Sequence, residues 1–353
     1  MKKILFISAT ARVDRPYLDP SVRYRCYNPA MLLNSYDFIV DVISFKKFTL
    51  EIIPRYDIFV FHRPSYEKKL LDAVGEINDL GLSLFADYDD LIFSQKYALE
   101  SSLYKNKRAT KEECLNIFKN NEKALFLFKN FIVSTRPLRE KILELDSSLS
   151  VSVVSNAISE DVINRLEIQK EFYAPLKTDK IIISYLSGTA SHDKDFEIVE
   201  DVLSNLLLKY KNKIELQIVG PLSYNRKKLQ DALHIPYVDY ECLGKLIAKT
   251  DINIAPLEIN NFTNCKSGLK FFESGLLGVP SVVTPIDDMK RFEDSNGITY
   301  ASSKEEWHEE LEKLILDEVH YMKKSKNTYS YMLKHCTMNN VYEDYLKIFE
   351  RDK

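Results

Sequence analysis

The chain has 353 residues and a formal net charge of −3. This length predicts two domains, and a hydrophobic fraction of 45% is enough for each domain to bury its own core. The weak negative charge argues against nucleic acid as the main partner, and no run approaches the roughly 20 apolar residues of a membrane-spanning helix. The five cysteines form no CxxC pair, so we expect reduced thiols in the cytoplasm and neither disulfides nor zinc.

The opening segment, Met1–Thr10, predicts a buried β-strand. Its apolar run is too short for a signal peptide, and charged residues follow at once at Arg12 and Asp14. Similar short runs alternate with helical patterns along the chain, which predicts βα units and parallel sheets. The predicted strands are Ile4–Ser8, Phe38–Ile43, Ile58–His62, Leu82–Asp87, Phe131–Ser134, Val151–Val154, Ile181–Tyr185, Leu216–Val219, Ile252–Ala255 and Ser281–Thr284.

Polar residues follow two of the first strands. The sequence PSVRYR begins at Pro20, with Ser21 as a candidate N-cap. Arg23 and Arg25 fall on different faces of a helix, so we do not expect both to serve one ligand. His62 ends the third predicted strand, where open α/β sheets place ligands.

The sequence Asp87-Tyr88-Asp89-Asp90 closes the fourth predicted strand and has three interpretations. GT-A glycosyltransferases use a DxD motif to hold a divalent metal against the donor diphosphate, because carboxylate oxygens suit Mn²⁺ or Mg²⁺. The same carboxylates can line a cleft on the acceptor side, or they can cap loops and form turns. DxD alone is a short motif that matches often by chance.

The strands divide into two Rossmann-like halves. A polar stretch from Asn156 to Lys180 separates them and ends in PLKTDK, which is typical of a connector. We therefore predict a first domain over residues 1–158 and a second over residues 159–338. The second half begins with a small-residue loop that contains Gly188 and Thr189 and precedes His192. Such a loop lets backbone N–H groups approach a phosphate, although an ordinary βα turn capped by Thr189 or Ser191 has the same sequence.

The richest segment runs from Asp251 to Pro285 and predicts a strand, a polar loop, a helix and a further strand. If one helix covers the middle, Lys266, Lys270 and Glu273 share a face. Two ammonium groups at the start of a helix, just past a strand's carboxyl end, suit a phosphorylated ligand. The alternative is a solvated Lys270–Glu273 pair worth roughly 0.3 kcal/mol.

This segment resembles the nucleotide-sugar site of retaining GT-B glycosyltransferases of family 4, in the branch that assembles bacterial surface polysaccharides. The pattern is APLE…N..KS..K..E…LG.P, matched here by Ala255-Pro256-Leu257-Glu258, Asn264, Lys266-Ser267, Lys270, Glu273 and Gly278-Val279-Pro280. The family's second glutamate stands eight positions before the first, where this chain has Cys265. Glu258 replaces it only if its loop folds back.

The resemblance implies an α/β GT-B fold, with two Rossmann-like domains whose parallel sheets face a central cleft. It also implies that a C-terminal helix at about 339–353 packs back on the first domain. Glu273 would bind the ribose hydroxyls. The implied catalytic residues are Lys266, Lys270, Asp89, Asp90 and His62, and the implied donor-binding residues are Glu273, Ser267, Gly188, Thr189, His192, Gly220, Glu258 and Arg23.

The implied function is transfer of a sugar from a nucleotide-sugar donor to a glycan or lipid-linked acceptor, with retention and without a metal or other cofactor. The resemblance places such an enzyme in the cytoplasm, on the inner face of the membrane or with other assembly enzymes. Two lysine-rich runs, Lys105–Lys111 and Lys323–Lys326, suit an anionic membrane surface or are solvated faces. Three alternatives stay open: a GT-A-like transferase using Asp87 and Asp89, a nucleotide-sugar epimerase, and a non-catalytic partner that keeps the fold.

Overall fold

The computed structural model describes residues 1–36, 38–176, 178–188 and 192–350, and these residues contain two parallel six-stranded sheets. The first sheet has the order β2-β1-β3-β4-β5-β6 and the second β12-β11-β10-β7-β8-β9. The strands are β1 Lys2–Ser8, β2 Phe38–Ser44, β3 Ile58–His62, β4 Ser83–Tyr88, β5 Asn130–Val133, β6 Ser150–Val153, β7 Ile181–Leu186, β8 Ile214–Val219, β9 Leu233–Ile235, β10 Ile252–Ala255, β11 Ser281–Val283 and β12 Ile298–Tyr300.

Helices connect most of the successive strands and cover the sheets. The α-helices are α1 Pro20–Val22, α2 Asn28–Asn34, α3 Lys68–Asp79, α4 Ser102–Lys105, α5 Lys111–Leu125, α6 Arg136–Leu145, α7 Glu160–Tyr173, α8 Asp193–Lys209, α9 Tyr240–Ile247, α10 Asn261–Asn264, α11 Leu269–Gly275, α12 Asp287–Lys290, α13 Lys304–Leu316, α14 Glu318–His335 and α15 Tyr342–Glu350. A π-helical turn, Arg23–Tyr27, joins α1 to α2, and short 3₁₀ helices occur at Pro16–Leu18, Leu50–Arg55, Gln95–Glu100, Ala174–Leu176, Glu293–Ser295 and Met338–Val341.

Every predicted strand is present, and the sequence missed two. These are β9 and β12, three-residue strands at the two edges of the second sheet. Edge strands pair on one side only and carry too few apolar residues to form a visible run.

Both faces of the first sheet are buried. Along β1, Leu5 and Ile7 enter one core with α3 and α5, whereas Ile4 and Phe6 enter another with α2 and α15. This burial of alternate residues on opposite faces explains why the strands read as continuous apolar runs.

The chain crosses between the two sheets twice, and the crossings lie side by side. Ile158, which follows β6, donates its N–H to the carbonyl of Cys336 and accepts from the N–H of Met338, both at 2.9 Å. The chain then ends in α15, where the Phe349 ring lies 5.6 Å from that of Phe85 in β4. The C-terminal helix therefore packs on the first sheet although it follows the second.

Two local predictions are wrong. The carboxylate of Asp19, and not Ser21, caps α1 by accepting from the Ser21 N–H, which leaves the Ser21 hydroxyl available elsewhere. Lys266 does not belong to α11, because the helix begins only at Leu269. The spacing argument assumed one continuous helix, but the chain breaks near Gly268, a residue with low helix propensity.

Within the described residues, no helix combines the length and apolarity needed to cross a membrane.

Candidate functional site

The candidate site lies where the carboxyl ends of the second sheet's strands meet the first domain. In this sheet β7 lies between β8 and β10. Because the chain leaves β7 and β10 toward different neighbours, a crevice opens between them, and ligands bind in such crevices of open α/β sheets. The loop after β7 leads to His192, and the loop after β10 leads to Lys266.

The crevice forms part of a cleft of about 460 Å³ between the domains. The first domain contributes Asp19, Ser21, Arg63, Asp89 and Asp90, and the second contributes His192, Leu257, Phe262, Lys266, Ser267, Leu269, Lys270 and Met289, among others. Of the predicted site residues that the structure describes, six line this cleft together: Asp89, Asp90, His192, Lys266, Ser267 and Lys270. The structure places His62, Glu273, Glu258, Arg23, Gly188 and Gly220 outside the lining of this cleft.

Lys270 presents a buried cation to the cleft. Its Nζ has no hydrogen-bond partner among the described residues and lies 4.3 Å from the ring centroid of Tyr185. Burial lowers the pKa of Lys270 to about 8, and the charge of Lys266 adds to this, against the influence of Asp195 and Glu273. A buried ammonium without a partner is costly, so an anion placed beside Lys270 would stabilise its charged form.

Lys266 is the second cation of the cleft. Its Nζ lies 3.5 Å from Oδ1 of Asp90 in the first domain and 4.7 Å from the ring centroid of Phe262. Both members of this ion pair are partly exposed, so an anionic ligand can replace Asp90 as the partner of Lys266.

Asp195 connects the two loops of the crevice. Its Oδ2 lies 2.8 Å from Nδ1 of His192, and its Oδ1 accepts from the backbone N–H of Glu258 at 2.9 Å. Burial lowers the pKa of His192 to about 4, and Lys270 adds to the effect, so the ring is neutral at pH 7. Burial alone would raise the pKa of Asp195, but the hydrogen bond from His192 brings it below its usual value.

Glu258, in the loop after β10, lies outside the lining of the cleft. The carboxylate of Glu258 lies 3.1 Å from Nζ of Lys105 in the first domain. The structure thus gives Glu258 a contact between the domains, and the position of Cys265 is filled by a buried thiol.

Glu273 is bound by the first domain. Its Oε1 accepts a hydrogen bond of 2.8 Å from the hydroxyl of Tyr24, and burial raises the pKa of Glu273. Beside this pair, the guanidinium of Arg23 lies 3.3 Å from the ring centroid of Tyr240. Arg23 is 1% exposed, so in this arrangement it stacks between the domains and does not face the cleft.

Asp89 is held from both sides. Its Oδ2 accepts from the hydroxyl of Ser21 and its Oδ1 from Nε of Arg63, both at 2.5 Å. Burial opposes ionisation, but the charge of Arg63 keeps the pKa of Asp89 below its usual range. Arg63 has a φ of +50°, a conformation that is rare outside glycine and that is often found at functional sites. Asp89 is therefore a fixed carboxylate with both oxygens occupied.

Asp87 and His62 do not line the cleft. Asp87 is 1% exposed, so the interpretation in which it lines the cleft is wrong for this residue. Arg25 binds its carboxylate with two nitrogens, at 2.6 and 3.0 Å, and Nδ1 of His62 lies 3.1 Å from Oδ1. Nε2 of His62 lies 2.8 Å from Oγ of Ser21. His62 thus links a buried ion pair to a residue of the cleft.

The two domains are joined at Ser267 as well. Its Oγ accepts from Nδ2 of Asn156 at 2.9 Å, and Oδ1 of Asn156 accepts from Arg25 at 3.1 Å. Ser267 therefore connects the cleft to the buried Arg25–Asp87 pair.

Gly220 is required by the backbone conformation and by the close approach of a neighbouring loop. It has a φ of +101°, and a Cβ there would lie 1.9 Å from the carbonyl oxygen of Ser187. Gly188 is exposed, and a Cβ there would meet nothing within 4 Å. Thr189 lies outside the described residues.

We expect Gly220→Ala to destabilise the protein by about 1–3 kcal/mol, because the methyl group pushes the loop at Ser187 out of place. Thermal unfolding measures this, and Gly188→Ala is the matched control with little expected change. Equal melting temperatures for both variants would show that Gly220 is not required.

Sequence reasoning missed Tyr24, Arg63 and Asp195 as parts of the site. Asp195 lies only three residues from its partner His192, so an i,i+3 spacing at the start of a helix was the signal that could have found it. Tyr24 and its partner Glu273, in contrast, are 249 positions apart. A local motif cannot report such a pairing, since only the docking of two domains creates it.

No family model matches the chain, and no curated protein matches it. Solved structures do match at the level of the fold. HepE from Anabaena, in complex with UDP, has a TM-score of 0.63 at 12% identity, over 99% of this chain and 100% of that one. A glycosyltransferase from Rickettsia africae has a TM-score of 0.66 at 13% identity, over 99% and 98%. UDP-GlcNAc 2-epimerase from Neisseria meningitidis has a TM-score of 0.55 at 15% identity, over 99% and 100%. The chain has the GT-B fold, and this prediction is confirmed.

Proposed function

We propose that this protein is a glycosyltransferase that moves a sugar from a nucleotide donor to an acceptor. One observation carries the proposal: the ammonium of Lys270 is buried at the cleft without a hydrogen-bond partner among the described residues. Lys266 lines the same cleft. Two cations there suit the diphosphate of a nucleotide sugar, whose negative charge grows as the sugar departs.

Glu273 suits the ribose of the same donor. Glu273 and Lys270 lie three residues apart on α11, so a ligand can contact both. Ribose hydroxyls donate hydrogen bonds, as the Tyr24 hydroxyl does to Glu273 now. HepE, which shares the fold, was solved with UDP and with UDP-glucose, and this agrees with a nucleotide-sugar donor.

Donor binding would exchange contacts between the domains. The ribose would replace Tyr24 on Glu273, and a phosphate would replace Asp90 on Lys266. Both groups that leave belong to the first domain, so the domains would shift and then close around the donor, which excludes water from the reaction.

The first domain would supply the wall on which the acceptor lies. Both oxygens of Asp89 are occupied by Ser21 and Arg63, so Asp89 positions its neighbours and is poorly placed to take a proton. Asp90 would lose its contact with Lys266, would keep the longer one of 3.8 Å with Arg63, and would then face the acceptor. If the reaction inverts the anomeric carbon, Asp90 is the better candidate for the base.

Retention of configuration, a glycan or lipid-linked acceptor, surface-polysaccharide assembly and a place at the inner face of the membrane belong to the proposal through the sequence resemblance. The pattern around Lys266, Lys270 and Glu273, which resembles that branch of enzymes, supports them.

The surroundings of Asp87 argue against the alternative in which Asp87 and Asp89 hold a divalent metal. The Asp87 carboxylate is bound by Arg25 and faces His62, so a cation there would have to displace a buried guanidinium. We therefore propose transfer without a metal ion held by the DxD motif. Full activity in excess chelator is the expected result.

Thermal-shift binding tests the proposal directly. The ligands are UDP, GDP, dTDP, CMP and their common sugar conjugates, with and without Mn²⁺. At a hundred times its Kd a ligand stabilises the fold by about 2.7 kcal/mol, so we expect a clear metal-independent rise in Tm with one nucleotide class. No shift with any of them would favour a non-catalytic partner, and a shift that needs Mn²⁺ would favour the DxD site.

An epimerase is the second candidate, because the Neisseria UDP-GlcNAc 2-epimerase shares the fold. It would convert the nucleotide sugar with no acceptor present. Nuclear magnetic resonance of the sugar region after incubation with the donor alone distinguishes the two activities.

A further inference from the structure

The carboxylate of Asp195 joins the two loops of the crevice that the proposed function uses. One oxygen faces Nδ1 of His192 at 2.8 Å, and the other accepts the backbone N–H of Glu258 at 2.9 Å. Asp195 is 5% exposed and belongs to the first turn of α8. It therefore ties His192, the residue before α8, to the loop after β10.

The contacts of Asp195 also fix the proton of His192. A carboxylate only accepts hydrogen bonds, so Nδ1 must carry the proton it shares with Asp195. Lys266 and Lys270 line the same cleft, and two ammonium groups disfavour a second proton on the ring. Nε2 is then left with a lone pair, and no described residue donates to it.

The lone pair on Nε2 of His192 can accept a hydrogen bond, so it favours a ligand group that donates one. Phosphate oxygens at neutral pH are acceptors, so they gain no hydrogen bond from Nε2 of His192. The parts of a nucleotide sugar that donate are its hydroxyls. In the proposed function the ribose hydroxyls bind Glu273, which leaves the hydroxyls of the donor's sugar for Nε2 of His192.

We propose that His192 accepts a hydrogen bond from a hydroxyl of the donor's sugar, and that Asp195 is the positioning residue that holds His192 in this tautomer. The inference rests on the proposed function. It adds a contact that depends on the sugar of the donor and not on its nucleotide. His192 and Asp195 together would make the enzyme prefer a donor with a hydroxyl at one place on the ring.

Calorimetry with two ligands tests the sugar contact. UDP and UDP-glucose are titrated into wild type, His192→Phe and His192→Gln, or the corresponding pair if the thermal-shift survey identifies another nucleotide. The phenylalanine keeps the ring without an acceptor, whereas the glutamine amide offers an oxygen near the place of Nε2. We expect His192→Phe to weaken UDP-glucose about tenfold and UDP less than twofold, and His192→Gln to recover most of the loss.

The outcomes separate this inference from the proposed function. Equal weakening of both ligands by His192→Phe would assign His192 to the nucleotide and overturn the sugar contact, as would no weakening of either. Wild type that binds neither ligand, nor any other pair, would overturn the proposed function and the sugar contact with it.

The positioning role of Asp195 is tested by a measurement that needs no ligand. In protein labelled with ¹⁵N-histidine, the ring nitrogens report the tautomer, and the His192→Gln spectrum assigns the signal among the six histidines. We expect Nδ1–H in wild type. In Asp195→Asn the amide cannot accept from both His192 and Glu258, so the signal should move toward a mixture of tautomers. Asp193 lies two residues before Asp195, and within the described part of the chain its side chain has no hydrogen bond to His192. The control variant Asp193→Asn should therefore leave the His192 signal unchanged. An Nε2–H or doubly protonated ring in wild type at pH 7 would overturn this role.

Discussion

Replacing Lys270 with methionine is expected to lower kcat/KM for glycosyl transfer by about 10²- to 10³-fold. This is the effect of removing one preorganised group that stabilises charge in the transition state. Lys270 has no other hydrogen-bond partner among the described residues, so its positive charge is fully available to the leaving diphosphate. Methionine keeps the unbranched apolar stem of the side chain and removes the ammonium group that lies over the ring of Tyr185. Steady-state kinetics with the donor identified by thermal shift measures the loss.

Lys326→Met is the matched control, since Lys326 is exposed on α14, away from the cleft. Its kcat/KM should stay within twofold of wild type. A Lys270→Met enzyme with unchanged kcat/KM would contradict the assignment of Lys270 to the phosphate.

The same variant should be more stable than wild type. The pKa of Lys270 is about 8 in the folded protein and about 10.4 in an unfolded chain, so at pH 7 the charged form costs up to about 3 kcal/mol. Between pH 8 and 10.4 the unfolded chain binds a proton that the folded protein does not. Stability from this group therefore rises with pH across that window. Lys270→Met should unfold at a higher temperature at pH 7 and lose this pH dependence, whereas equal stability at pH 7 would argue against a buried charge.

Glu273→Gln and Tyr24→Phe are expected to change nucleotide affinity in opposite directions. Glutamine keeps the shape but loses the charge that strengthens hydrogen bonds from ribose hydroxyls, so Kd should rise about 10- to 100-fold. Tyr24→Phe removes the hydroxyl that now occupies Glu273. Since a typical hydrogen bond contributes about 1 kcal/mol, Kd should fall about fivefold. Calorimetry with the nucleoside diphosphate measures both.

Tyr329→Phe provides the control for Tyr24→Phe. The Tyr329 hydroxyl also donates to a glutamate, Glu167, at 3.3 Å, but this exposed pair lies outside the cleft, so nucleotide affinity should not change. If Tyr24→Phe weakens binding, the Tyr24 hydroxyl contacts the nucleotide and does not compete with it.

The sequence predicted the class of fold because its signals are local. Strands buried on both faces appear as apolar runs, as at Ile58–His62, where predicted and observed bounds coincide. The two strands it missed, β9 and β12, are short edge strands with one hydrogen-bonded neighbour. It also predicted one helix from Lys266 to Glu273, although the chain breaks near Gly268 and leaves only Lys270 and Glu273 on α11.

By itself, the sequence of this protein determined two Rossmann-like halves and the residue types at the ends of their strands, because apolar periodicity and short motifs are properties of neighbouring residues. Only the tertiary structure decided which side chains are available. It paired Glu273 with Tyr24 and Lys266 with Asp90, and it buried Asp87 and Arg23 outside the cleft. The physical reason is that hydrogen bonds and burial depend on distances across a domain interface, and those distances have no trace in the order of the residues.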